Sequence, residues 1–198
     1  MTTSYDSIDR LAYESLLEDS LLGTVVEENG IISIQPAQDS FNRIVRSIVG
    51  QQISTSAADS IFDELESSVR ISASEISKTP IEVLKENGLS QSKASAVREL
   101  SMTWEENGWS RDFFMTLDND KIHELLTGVT GIGPWTADMA LIFCFGRQDV
   151  FPVTDLGIRN AMNALLDDSV ERDEMLVVAE HWQPYRSYAA LYLWKYIH

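Results

Sequence analysis

Residues 125–155 read LLTGVTGIGPWTADMALIFCFGRQDVFPVTD, and this stretch decides the fold. Two helical halves flank a glycine-rich turn, Gly128 to Gly133, and the stretch ends in a loop that delivers one carboxylate, Asp155. Glycine has no Cβ, so the turn permits tight backbone geometry and close approach by another chain. Pro134 fits the first position of the next helix, where its missing N–H costs nothing. The amides of that first turn stay unpaired at the positive end of the helix dipole, a natural cradle for a phosphate. A helix-turn-helix of this kind would grip a nucleic acid backbone without reading its sequence. On the glycine spacing alone, a plain helix connection is the alternative.

Two side chains in the stretch carry chemistry. Trp135 is too large for the first turn of a surface helix unless it is buried or stacks on something flat, and tryptophan is the strongest ring partner for a cation. Asp155 follows a mostly apolar loop and precedes a helix, so it suits an N-cap. A lone carboxylate there also suits glycosidic cleavage, whose oxocarbenium-like transition state is stabilised by negative charge.

Outward from the stretch, nearly every segment reads as helix. An amphipathic helix is expected over Ile8–Leu22, then a turn at Asn29-Gly30, then Ile31–Ile34 as a short strand or an extended connector. Asp39 or Ser40 can cap a helix whose stripe is Phe41, Ile44, Val45, Ile48 and Val49, ending at Gly50. Ser54 can cap the next, with Ala57, Ala58, Ile61, Phe62 and Leu65 inward. Thr79-Pro80-Ile81-Glu82 predicts a capping box with Pro at the first helical position, on a helix ending at Gly88. Ser92 is expected to start a helix through Val97, Leu100 and Trp104, Ser110–Thr116 a turn, and Asp118 or Asn119 a cap for the helix entering the hairpin. Helices are expected over Leu156–Leu166, about Val170–Trp182, and Ser187–Ile197. The fold class is therefore all-α, built from many short helices.

The chain has 198 residues, 44% of them hydrophobic, enough for a true core in one domain or two small lobes. One cysteine, Cys144, excludes an intrachain disulfide, a four-cysteine iron–sulfur cluster and an all-cysteine zinc site, and is expected to be a buried small hydrophobe. His123, His181 and His198 have no ligand spacing, and no Walker loop or GxSxG elbow occurs. No apolar run approaches the roughly 20 residues of a membrane span, and Met1–Leu11 has no leader pattern. A soluble, cytoplasmic, monomeric protein is expected. The net charge of −16 opposes a DNA partner on average. Acids are nevertheless absent from Ser40–Ala58, which carries Arg43 and Arg46, from Gly88–Arg98, which carries Lys93 and Arg98, and from Leu125–Ala137. Ten Arg against five Lys in an acidic shell would suit a salt-rich cytoplasm and a halophilic source, with an ordinary acidic protein as the alternative.

These residues resemble a known family. LLTGVTGIGPWTADMA followed by DVFPVTD is similar to the helix-hairpin-helix and Gly/Pro-Asp signature of the HhH-GPD base-excision DNA glycosylases. IVRSIVGQQIS (44–54), GLSQSKASAVRELS (88–101) and WQPYRSYAALYLW (182–194) resemble the branch of DNA-3-methyladenine glycosylase II. The resemblance implies two helical lobes with the active-site cleft between them. Residues 40–148 would form one lobe, with the wedge loop and hairpin, and residues 1–39 plus 149–198 the other, with the catalytic Asp. The 38 residues before Asp39 leave no room for the β domain of the known bacterial enzyme.

Carried over by position, the resemblance assigns Asp155 as the catalytic aspartate that supports the sugar cation and the attacking water. Trp135 occupies the place of the Schiff-base lysine of bifunctional relatives, so hydrolysis without lyase chemistry is implied. Trp135, Trp194 and Met139 are implied to line the base pocket. Gln51, Gln52, Lys93, Gly128, Gly131, Gly133 and Thr136 are implied to meet DNA, with Gln52 at the wedge, a leucine in the best-known member. The backbone carbonyls of Thr127, Val129 and Ile132 match a monovalent cation site for Na+ or K+, and no other cofactor and no iron–sulfur cluster is expected. The implied function is release of alkylated purines from double-stranded DNA in base-excision repair. The alternatives are a glycosylase for deaminated or oxidised bases and a non-catalytic damage-binding protein.

Overall fold

A computed structural model describes residues 4–197; Met1–Thr3 and His198, the last of the three histidines, lie outside the described residues. No strand occurs among the described residues. The chain forms two compact units, Ala37–Phe145, and Met1–Pro36 with Gly146–His198. The crossings fall at 36/37 and 145/146.

The unit Ala37–Phe145 begins with α3 (Ser40–Val49). The Asp39 carboxylate accepts the Asn42 amide at 3.0 Å, and Phe41, Ile44, Val45, Ile48 and Val49 are all buried, the expected stripe. Helix α4 (Thr55–Ser68) is capped by Ser54 and buries Ala58, Phe62 and Leu65. The short helices α5 (Ala73–Ile76) and α6 (Ile81–Glu86) lead to α7 (Gln91–Glu106). Next come α8 (Arg111–Met115), α9 (Asn119–Thr127) and α10 (Pro134–Met139), which runs on as a π-helical segment, Ala140–Cys144. In that segment the Phe145 amide donates to the Ala140 carbonyl five residues back, at 3.0 Å. The core is aromatic: Trp104 lies 5.4 Å from Phe41, 5.9 Å from Trp109 and 5.4 Å from Phe114, and Phe114 lies 5.0 Å from Phe145. Cys144 is fully buried, and burial pushes its thiol pKa well above the usual range.

The second unit joins α1 (Ser4–Leu17) and α2 (Gly23–Asn29) to α11 (Leu156–Leu166), α12 (Arg172–Glu180) and α13 (Arg186–Ile197). Helix α13 packs on α11, α2 and α1. Its Tyr188 hydroxyl donates to Asp9 Oδ1 at 2.7 Å, and Asp9 also accepts the Ile34 amide at 3.3 Å. Both Asp9 and Tyr188 are buried, so the carboxylate survives there only because donors reach it.

Four local expectations change. The first helix ends at Leu17, because the Asp19 carboxylate accepts the Leu21 and Leu22 amides at 3.0 and 2.9 Å and diverts the chain into α2. Residues Ile31–Ile34 take the connector alternative, whereas Ser110–Thr116, expected as a turn, holds the short helix α8 because Ser110 accepts the Phe113 amide at 3.2 Å. The capping box at Thr79 does not form: its hydroxyl donates back to the Glu75 carbonyl at 2.9 Å, and Pro80, not Thr79, occupies the cap of α6. Helix α7 starts at Gln91, one residue before Ser92, because Ser90 caps it by accepting the Lys93 amide at 3.3 Å.

Tyr188→Phe leaves the buried Asp9 carboxylate short of one donor. Loss of about 1–3 kcal/mol is expected, read as a lower urea midpoint; an unchanged midpoint would mean that the pair does not hold the unit together.

Candidate active site

The hairpin is built from its caps. Asp118 accepts the Lys121 amide at 2.8 Å and starts α9; Pro134 sits at the first position of α10. Between them Val129 and Ile132 turn inward and are buried. Gly131 has φ +91, and a Cβ there would lie 2.4 Å from the Ala96 Cβ on α7. Glycine is thus required twice, for the backbone angle and for the approach of the helix. Gly133 differs, because a Cβ would meet nothing within 4 Å. Folding alone does not call for glycine at that exposed position.

Three of the expected DNA residues are engaged inside the protein. Gln51 Nε2 donates to the Gly131 carbonyl at 3.2 Å and to Thr136 Oγ1 at 2.9 Å, tying the loop after α3 to the hairpin. Thr136 is buried. Lys93 Nζ donates to the Val49 carbonyl at 2.7 Å, satisfying one of the orphan carbonyls at the end of α3, and burial holds its pKa below the usual lysine value. Gln52, by contrast, is exposed and has φ +58, a left-handed angle that a non-glycine residue adopts at a cost of about 1–3 kcal/mol.

Within the same unit, α3, the start of α4 and α10 with its π segment border an open cavity of about 330 Å³. Arg43, Arg46, Ile53, Trp135, Met139 and Phe143 line it. Trp135 is half-buried, so it is not a core residue. Arg46 pairs with Asp59 and lies 5.6 Å over the Phe62 ring; Arg43 lies 5.1 Å over the Phe143 ring. Asp138, on α10, is 3.9 Å from His123 Nε2 on α9, beyond hydrogen-bond reach. Burial raises its carboxyl pKa to about 7.

In the other unit Asp155 caps α11: its Oδ1 accepts the Ile158 amide at 2.9 Å and the Trp194 indole N–H at 2.9 Å. Trp194 comes from α13, so two helices fix one carboxylate. Gly157 makes room for the pair, since a Cβ there would sit 3.1 Å from Asp155 Oδ1 and 3.2 Å from Trp194 Cδ1. The loop leading to Asp155 is fastened to the start of α13. Ser187 Oγ donates to the Arg147 carbonyl at 2.7 Å and accepts the Val150 amide at 3.0 Å, and Arg186 meets both oxygens of Asp149, at 2.6 and 2.9 Å.

Residues 45–186, with the hairpin and the capping aspartate inside them, match the family described as HhH-GPD superfamily base excision DNA repair protein. The chain belongs to the HhH-GPD superfamily. DNA-3-methyladenine glycosylase 1 of Schizosaccharomyces pombe is 30% identical over 165 residues, which cover 80% of this chain and 72% of that relative. The solved structure of S. pombe 3-methyladenine DNA glycosylase (Mag1) in complex with abasic DNA superposes with a TM-score of 0.83 at 28% identity, covering 93% of this chain and 95% of that one. YfjP of Bacillus subtilis is 29% identical over 187 residues; they cover 89% of this chain but 65% of that relative.

Reading the HhH-GPD pattern from sequence missed three contributors. Arg43 was noted only as part of an acid-free segment, and nothing in the spacing placed it beside Trp135. Gly157 left a signal, a glycine in the first turn of a helix where it weakens the helix. Ser187 left none, because a serine that knits a loop has no pattern of its own.

Gly131→Ala should cost about 2–4 kcal/mol, from the positive φ and the clash with Ala96, and lower the melting temperature, while Gly133→Ala should melt as the wild type; equal melting of the two variants would contradict this. For Asp138 the folded pKa lies above the ordinary 3.8, so the folded state binds more protons and stability falls as pH rises from about 4 to 7. Asp138→Asn should therefore be more stable than wild type at pH 8, with the difference shrinking toward pH 4 in paired thermal melts.

Proposed function

We propose that this chain is a monofunctional DNA glycosylase that hydrolyses the N-glycosidic bond of alkylated purines, of the 3-methyladenine and 7-methylguanine type, in duplex DNA during base-excision repair. The observation that carries this reading is the Asp155 carboxylate, held by the Ile158 amide and the Trp194 indole, in a chain of the base-excision family. The named S. pombe relatives supply the substrate class.

The assigned steps follow from residue chemistry. The hairpin amides and the glycines Gly128, Gly131 and Gly133 hold a phosphate close to the backbone. Gln52, already strained and exposed, inserts where the flipped nucleotide leaves the stack, offsetting an unstacking cost of a few kcal/mol. Trp135 and Met139, and Trp194 by family resemblance, receive the base. The C1′–N bond breaks with its electron pair going to the base, which neutralises the positive charge of an alkylated purine. Asp155 stabilises the sugar cation and takes a proton from the water whose oxygen bonds to C1′. Trp135 offers no amine for a Schiff base, so the reaction ends at hydrolysis.

A carbonyl oxygen has two lone pairs, so that of Val129, which accepts the Ile132 amide, keeps capacity for a cation. With the carbonyls of Thr127 and Ile132 it would hold Na+ or K+, adding positive charge for the phosphate. The enzyme would act as a monomer on chromosomal DNA in the cytoplasm.

Asparagine caps helices as well as aspartate does, so Asp155→Asn should fold. Single-turnover release of 3-methyladenine should fall about a hundredfold to a thousandfold or more, while affinity for an abasic-site duplex, measured by fluorescence anisotropy, holds. Full activity in the variant would sink the assignment.

A further inference from the structure

The chain carries −16, yet Ser40–Ala58, Gly88–Arg98 and Leu125–Ala137 hold no acid. These three segments, separate in sequence, meet pairwise within the unit Ala37–Phe145. Lys93 of the second donates to the Val49 carbonyl of the first at 2.7 Å. Gln51 of the first donates to the Gly131 carbonyl of the third at 3.2 Å. Ala96 of the second seats Gly131 so closely that a Cβ on the glycine would lie 2.4 Å from it. The fold thus gathers the acid-free segments into one region, made of the loop after α3, the start of α7 and the hairpin turn.

That region is spared of acids without being basic. Its four cations are Arg43, Arg46, Lys93 and Arg98, and all four are half-buried rather than exposed. Arg46 is paired with Asp59, Lys93 is bound to the Val49 carbonyl, Arg43 lies over the Phe143 ring, and the Nε of Arg98 is buried. What the region exposes is neutral, including the hydrogen-bonding side chains of Gln52, Ser54, Thr55, Gln91, Ser92 and Thr130. Hydroxyl, amide and backbone N–H groups all donate to phosphate oxygens. The difference shows in salt dependence. Lys and Arg release counterions when they neutralise phosphates, and log K then falls with log salt at a slope of about −0.9 for each phosphate neutralised. Neutral donors release none. Acids elsewhere on the chain repel phosphate at low salt, and added salt screens that repulsion.

Resting on the glycosylase reading above, we infer that this acid-free face grips the duplex backbone with neutral donors, so that affinity for DNA depends only weakly on ionic strength. An acidic chain can hold a polyanion by this route, because the contacts need no net positive charge. Salt that would strip a cationic protein from DNA leaves these bonds in place.

The test is the affinity of the full chain for an abasic-site duplex, measured by fluorescence anisotropy from about 50 mM to about 1 M KCl. The expected slope of log K against log salt is no steeper than about −2, so a fourfold rise in salt weakens binding about fifteenfold at most. A protein with six to ten cationic phosphate contacts loses about a thousandfold or more over the same rise. A slope steeper than about −2 overturns the proposal. Thr130→Lys adds an ammonium to the exposed hairpin turn: the slope steepens by about 0.9 and affinity rises at the low end of the salt range, with the gain gone at the high end. Ser92→Lys makes the same change from α7 and serves if circular dichroism shows Thr130→Lys unfolded. An unchanged slope in a folded variant overturns the proposal, because the face then does not meet phosphate. A steep wild-type slope together with release of 3-methyladenine from methylated DNA overturns it and leaves the glycosylase reading standing. Wild type that binds no duplex at any salt and releases no base overturns both.

Discussion

The hairpin depends on one close approach, the bare backbone of Gly131 against Ala96 of α7. Any side chain at Gly131 would push the two apart, and other contacts are referenced to that distance. Ala96 and Lys93 are three residues apart and share a face of α7. One is the seat of the hairpin turn; the other caps the end of α3 through the Val49 carbonyl. Gln51 closes the triangle by reaching from the loop after α3 to Gly131 and Thr136. Helix α7 thus acts as a ruler that fixes how far the exposed Gln52 stands from the hairpin turn.

Much of this was legible in the sequence where a physical signal is local. Periodic apolar positions gave the buried stripe of α3, and short polar side chains before such stripes gave the caps at Asp39, Ser54, Asp118 and Asp155. The same rule misled where one side chain had two possible uses. Thr79 bonds the preceding turn rather than its own helix, and Asp19 breaks a helix that periodicity would extend. The site's chemistry was legible as residue types, less so as contacts. The Trp194 indole on the Asp155 carboxylate joins residues 39 apart, and Gln51 and Gly131 are 80 apart; no spacing rule reaches so far.

Charge is organised at two scales. The whole chain carries −16, yet the cavity beside Trp135 holds Arg43 and Arg46, with only Arg46 neutralised by a carboxylate. Short-range contacts decide recognition in such a cavity, because fields from distant surface acids are screened over roughly 8–10 Å. An acidic exterior and a cationic pocket are compatible for that reason.

The Asp9–Tyr188 hydrogen bond spans 179 positions of sequence. The unit that carries Asp155 is closed by its own two ends, whereas Ala37–Phe145 is continuous. During synthesis the continuous unit can fold while later residues are still being added, since domains form as units from the N-terminus onward. The first helices must wait for α13, and with it for the indole that holds Asp155. A nascent chain therefore forms its hairpin before α13 can bring the Trp194 indole to the Asp155 carboxylate.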